Sequence, residues 1–134
     1  MPIVVESVRS ATPQDREDLQ KIYRDAPDWL VAPFTDTQTL IEAHLAEGSV
    51  LAARFNDRLL GAARLQRQEG IWHLSHLCVR KLTRRRGVAE RLLVEAQKMA
   101  RLAGGELRLL APVGHLEAQA LAAKLHLPLD PQQA

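Results

Sequence analysis

The sequence predicts a single mixed α/β domain, α+β in its order of elements: a mostly antiparallel sheet flanked by helices. Three observations carry this. The chain has 134 residues, 46% hydrophobic and 25% charged, which suits one globular domain burying about two thirds of its unfolded surface. Three runs of strand character, 49–55, 58–67 and 71–80, follow one another with connections short enough only for antiparallel neighbours. A strand–helix–strand succession then closes the chain, which adds a parallel pair.

The elements follow in order. Ile3 to Val8 reads as a first strand. Thr12 is an N-cap residue type, and Pro13 suits the first helical position. Leu19, Ile22, Tyr23 and Ala26 recur at helical spacing, so a helix is predicted over 13–25, stopped by Pro27. Residues 27–36, with Pro27, Trp29 and Pro33, read as a loop. Asp36 or Thr37 then caps a second helix to about Glu47, whose stripe is Leu40, Ile41, His44 and Leu45, with His44 at its edge; Gly48 ends it. Asn56-Asp57 tolerates left-handed backbone and makes the turn of a tight hairpin. Gln68 to Gly70 turn the chain into the strand 71–80. Val88, Leu92, Ala96, Met99 and Ala103 give the longest helix, 86–103, closed by Gly104-Gly105. A strand over 106–110 and a helix from Gly114 to about Leu125 follow, and the tail from Pro128 (128–134) is expected to fray. No repeat or linker divides 1–134, so one domain is expected.

Composition excludes several classes. One cysteine, Cys78, excludes an intramolecular disulfide framework and a cysteine-based zinc site. No apolar run reaches the roughly 18 residues of a membrane span, and no signal-peptide pattern opens the chain, so a cytoplasmic protein is expected. The formal charge of +2 conceals a concentration: Arg80, Lys81, Arg84, Arg85 and Arg86 fall within seven residues, and without them 13 basic residues face 16 acidic ones. A nucleic-acid binder spreads its cations over a face; a single crowded turn better suits a small polyanion.

That turn joins a strand to a helix with Gly87 at the helix mouth. The first helical turn leaves backbone N–H groups without intrahelical partners, and the helix dipole adds about half a positive charge there. Gly87 lets a ligand approach the backbone, and the arginines surround it with charge. A phosphate or pyrophosphate ligand is predicted. Other chemistry-bearing side chains have plainer readings. Cys78 reads as a small core residue before a nucleophile, and Trp29 and Trp72 as packing anchors. His76 and Cys78 share one strand face, with Leu77 and Val79 on the other. His73 and His76, three apart on a strand, are expected to face opposite sides, and no metal site is predicted.

Strand, then Arg84-x-x-Gly87-x-Ala89, then helix, placed after a three-strand meander, resembles the acetyl-coenzyme A motif of the GNAT acetyltransferases. The resemblance implies a GNAT-like fold and a site for acetyl-CoA or CoA. The pyrophosphate would lie on the amides of about Arg85, Arg86, Gly87, Val88, Ala89 and Glu90, and pantetheine along Leu77, Cys78 and Val79. GNAT enzymes often carry a tyrosine acid on the last helix. The matching stretch His115–Leu127 keeps Ala118, Lys124 and Leu125 but has Ala122 at the tyrosine position, His115 at an asparagine position and His126 at a glycine position. The only tyrosine, Tyr23, is on the first helix. The catalytic residues are therefore unassigned, with His76 and Cys78 as candidates near the expected acetyl position.

Three stretches, Asp15–Ile22, Ala52–Leu60, and Val79-Arg80 with Thr83–Val88, are similar to the PanZ (PanM) group of GNAT-like proteins, maturation factors of aspartate 1-decarboxylase in pantothenate synthesis. That resemblance implies a coenzyme sensor that binds the decarboxylase proenzyme, promotes its self-cleavage and regulates the mature enzyme. It needs no acid at Ala122. Arg54, Asn56 and Arg58 around the hairpin are the candidate partner-facing residues, against a plain solvated turn. Neither nucleic acid nor a membrane is expected as partner. The alternatives are an N-acetyltransferase for a small-molecule or protein amine and, more weakly, a nucleic-acid-binding module.

Overall fold

A computed structural model describes residues 3–24, 26–81 and 87–131. Six strands form one sheet in the order β1(Val4–Ser7), β2(Val50–Phe55), β3(Arg58–Arg67), β4(Ile71–Val79), β5(Glu106–Ala111) and β6(Leu129–Pro131). The first four pair antiparallel, and β5 and β6 are added parallel. Helices α1(Pro13–Arg24), α2(Asp28–Val31) and α3(Thr37–Glu47) precede β2, while α4(Val88–Leu102) and α5(Leu116–Leu125) are the crossovers to β5 and β6.

Local chemistry sets the boundaries. Thr12 Oγ1 accepts the Asp15 N–H at 3.0 Å, and the Asp15 carboxylate accepts the Thr12 N–H at 3.3 Å, a reciprocal cap for α1. Asp36, not Thr37, caps α3 by accepting the Thr39 N–H at 2.7 Å, and Gly48 ends that helix at φ 76°. Asn56 and Asp57 both take positive φ, 49° and 65°, as a two-residue hairpin turn requires.

Each face of the sheet carries its own core. Leu51, Leu65, Leu74, Leu107 and Leu109 pack under Leu92, Leu93 and Ala96 of α4 and Ala118 and Ala122 of α5. Leu59, Ala62 and Cys78 pack on the other face beneath Leu19, Ile22 and Tyr23 of α1 and Leu40 and Ile41 of α3. Helix α4 sits close to the sheet because β3 carries Gly61: a Cβ there would lie 2.9 Å from Val88 Cγ1 and 3.3 Å from both Leu92 Cδ1 and the Cys78 carbonyl oxygen. Gly61→Ala is therefore expected to lower unfolding stability by about 1–3 kcal/mol through overpacking. Urea denaturation checks this, and an unchanged midpoint would contradict it.

Three expectations are corrected. The loop predicted over 27–36 contains the one-turn helix α2. The chain does not fray at Pro128, because residues 129–131 form β6. Leu129 packs against the core, and Asp130 receives two hydrogen bonds from Arg108, at 2.6 and 2.8 Å, that hold its carboxyl down at about 2. The helix predicted from Gly114 starts at Leu116, where the His115 side chain caps it.

Candidate functional site

The site begins as an irregularity in β4. Arg64 lies opposite Ser75 and Ala62 opposite Cys78, so His76 and Leu77 together face one residue of β3. His76 takes φ 54°, an uncommon conformation for a side chain larger than glycine. Three contacts hold it there. The Tyr23 hydroxyl donates to the His76 carbonyl at 2.7 Å, Ser75 Oγ lies 2.9 Å from His76 Nδ1, and the His44 ring meets the His76 ring edge-on at 4.9 Å. A bulge bends its strand. Pairing of β4 with β5 stops at Leu74 and Leu109, and beyond that point the two strands part.

Between the parted strands runs a cleft of about 850 Å³. Leu77, Cys78 and Val79 line it from β4, and Leu109, Leu110 and Ala111 from β5. Gly87, Val88, Ala89 and Glu90, the start of α4, line it as well. Of the candidate coenzyme residues, those seven of β4 and α4 thus share one cleft, while Arg84, Arg85 and Arg86 lie outside the described residues. The sequence alone does not point to the two remaining walls: Pro27, Trp29 and Leu30 at α2, and the α5 cap residue His115 with Glu117, Ala118 and Leu121 of α5.

Helix α4 starts differently from its neighbours. Thr12, Asp36 and His115 cap α1, α3 and α5 with side-chain atoms, His115 through Nδ1 accepting the Ala118 N–H at 3.2 Å. Gly87 sits at the cap of α4 with φ 79° and offers no side-chain hydrogen bond. The amides of the first α4 turn therefore receive no acceptor from their own cap residue, and they stand where the helix lines the cleft.

The candidate catalytic residues are both buried. Cys78 Sγ donates to the Ile22 carbonyl at 3.2 Å, among the core residues under α1. Burial pushes the His76 imidazole below its usual range, the Ala32 carbonyl opposing this, and Nε2 has no partner at hydrogen-bond geometry among the described residues. His44, expected at the edge of its stripe, is 3% exposed; burial first, then His76 and Arg64, lowers it to about 4. The bulge also corrects the expected facing of the strand histidines. It reverses the alternation at His76, so His73 and His76 point to the same side of the sheet, yet His73 Nε2 pairs with Asp130 at 3.1 Å. Among the described residues no group of three or more His, Cys, Asp or Glu side chains is placed to hold a metal. Tyr23 is buried, with its phenol pushed upward first by desolvation, and Ala122 is on the buried face of α5, in the core. Trp72 is the packing residue expected, whereas Trp29 is 36% exposed at the cleft.

The hairpin residues have intramolecular partners. Arg54 bridges Glu6 at 2.8 Å and Asp15 at 3.1 Å, and Arg58 binds the buried Asp18 carboxylate at 2.7 Å. Both arginines tie the β2–β3 hairpin to α1 or β1, leaving Asn56 in the turn itself.

Solved structures with the same architecture define the class. The chain is similar to the PaiA N-acetyltransferase of Thermoplasma acidophilum, solved in complex with coenzyme A: TM-score 0.70, 20% identity, 93% of this chain and 89% of that one. It is similar too to the ribosomal-protein-S18-alanine N-acetyltransferase of Escherichia coli: TM-score 0.72, 17% identity, 92% and 76%. The fold is that of the GNAT acetyltransferases. Within that class, residues 2–129 match the family model described as "Acetyltransferase (GNAT) domain, PanZ", and the chain belongs to that family. A curated relative, the PanD regulatory factor of Escherichia coli K12, is 34% identical over 95 residues, 71% of this chain; the match spans 66% of the relative's length. No helix among the described residues is long and apolar enough to cross a membrane.

Proposed function

We propose that this chain is a cytoplasmic acetyl-CoA- or CoA-binding regulator that promotes maturation of aspartate 1-decarboxylase and then restrains the mature enzyme. The observation that carries the coenzyme half is the glycine-capped start of α4 beside parted strands. The residues present fit the group. The amides of Gly87 to Glu90, with Arg84 to Arg86, would hold the pyrophosphate, and the cleft along Leu77 to Val79 would take the pantetheine. The coenzyme supplies a thiol or, when acetylated, an acyl thioester; the protein's part is to bind and orient it. Similarity to a PanD regulatory factor supports the decarboxylase as partner.

A regulator needs no proton donor for a leaving thiolate, and α5 carries no tyrosine: Ala122 occupies that position, and Tyr23, on α1, is committed to the His76 carbonyl. One observation favours the second reading, an N-acetyltransferase: His76, whose imidazole is held neutral by burial, lines the cleft and could accept a proton. Thermal shift with acetyl-CoA followed by thiol release against an amine panel separates the two. The regulator is expected to gain melting temperature and to release thiol no faster than buffer. Rapid release would establish the enzyme instead.

A further inference from the structure

Resting on the coenzyme reading above, we infer that the cleft admits thioesters with a short uncharged acyl chain and rejects those ending in a carboxylate, with Trp29 limiting chain length. The charge argument comes from the lining. Where the strands part, the wall is Leu109, Ala111, Cys78 and Ala118, each less than one-tenth exposed. Among the described residues, the side chains of formal charge that line the cleft are Glu90 and Glu117, and no lysine or arginine does. Glu90 is engaged by Lys124 at 3.1 Å. The basic run adjoins Gly87 in sequence, at the end assigned to the phosphates. A terminal carboxylate would leave water for apolar side chains, and Glu117 on the lining would repel it.

The length argument comes from one contact. The Trp29 ring meets the His115 imidazole edge-on, with centroids 5.0 Å apart and planes at 65°. Trp29 belongs to α2 and His115 to the cap of α5, so this pair joins two walls of the cleft. His115 cannot swing aside without giving up its hydrogen bond to the Ala118 N–H. Trp29 is partly exposed, so truncating it removes a wall without emptying a core.

Calorimetric titration of the wild type, Trp29→Ala and Trp29→Phe with CoA and with acetyl-, butyryl-, hexanoyl- and succinyl-CoA tests this. In the wild type, acetyl- and butyryl-CoA are expected to bind within about threefold of each other, with hexanoyl- and succinyl-CoA at least about tenfold weaker. Trp29→Ala is expected to bring hexanoyl-CoA within about threefold of acetyl-CoA while succinyl-CoA stays weak, and Trp29→Phe to keep the wild-type order. Succinyl-CoA binding as tightly as acetyl-CoA, or an unchanged hexanoyl-CoA deficit in Trp29→Ala, would overturn the inference while leaving the coenzyme site standing. Failure of CoA and every thioester to bind would overturn the coenzyme reading itself.

Discussion

Gly87→Glu is expected to weaken CoA binding by at least about 100-fold, close to 3 kcal/mol. Two effects combine. The carboxylate would stand at the start of α4, where the coenzyme reading puts a pyrophosphate, and like charges repel there. It would also supply α4 with an acceptor of its own, competing for the same amides. The backbone at φ 79° adds strain for any side chain, about 1–2 kcal/mol, although a Cβ meets nothing within 4 Å. Gly87→Ala carries that strain without the charge, so it isolates the electrostatic part. The alanine variant is expected to unfold more easily yet keep most of its affinity. Equal affinity of Gly87→Glu and wild type in a titration would remove the phosphate from this helix.

Asp18→Ala is expected to destabilise the domain by about 3 kcal/mol. The Asp18 side chain is fully buried. It accepts from Arg58 Nε and Nη2, from the Leu59 N–H at 3.0 Å and from Gln14 Nε2 at 3.0 Å. Truncation strands the buried Leu59 N–H and removes the Arg58 tie between the hairpin and α1, leaving the Arg54–Asp15 tie in place. Desolvation raises the Asp18 carboxyl, but the hydrogen bonds from Arg58, Leu59 and Gln14 outweigh it and leave the group below its ordinary value. A depressed folded value means the contribution is fully present above the unfolded carboxyl value, about 3.9, and is lost as pH falls through the folded one. Guanidinium unfolding at pH 7 and at pH 3 should therefore show the gap between wild type and Asp18→Ala narrowing in acid. A gap below about 1 kcal/mol at pH 7 would show the cluster to be incidental.

The parts of the fold legible in the sequence are those fixed by neighbours along the chain. Thr12-Pro13, Asp36, Gly48 and Asn56-Asp57 each act within three or four residues, and the elements they bound fall within two residues of expectation. What was not legible depends on distant partners. Strand β6 is three residues long and exists through Arg108 and the β5 backbone. The bulge at His76 is held by Tyr23, 53 residues earlier, and by His44 on α3, and no local turn residue announces it. The same division runs through the site. Leu77 to Val79 and Gly87 to Glu90 flank one turn and could be assigned from their motif, whereas Trp29 and His115 lie 86 residues apart and meet only when the strands have parted. The pairing of Arg54 and Arg58 with acidic side chains was equally hidden, because Asp15 and Asp18 lie on α1 at a spacing that also suits a solvated face.

The measurement that tests the central claim most directly mixes this protein with purified aspartate 1-decarboxylase proenzyme, with and without acetyl-CoA, and follows cleavage of the proenzyme by mass. Cleavage that accelerates only when both the protein and the coenzyme are present is the predicted result. Cleavage at the spontaneous rate in every mixture, with acetyl-CoA bound, would contradict it.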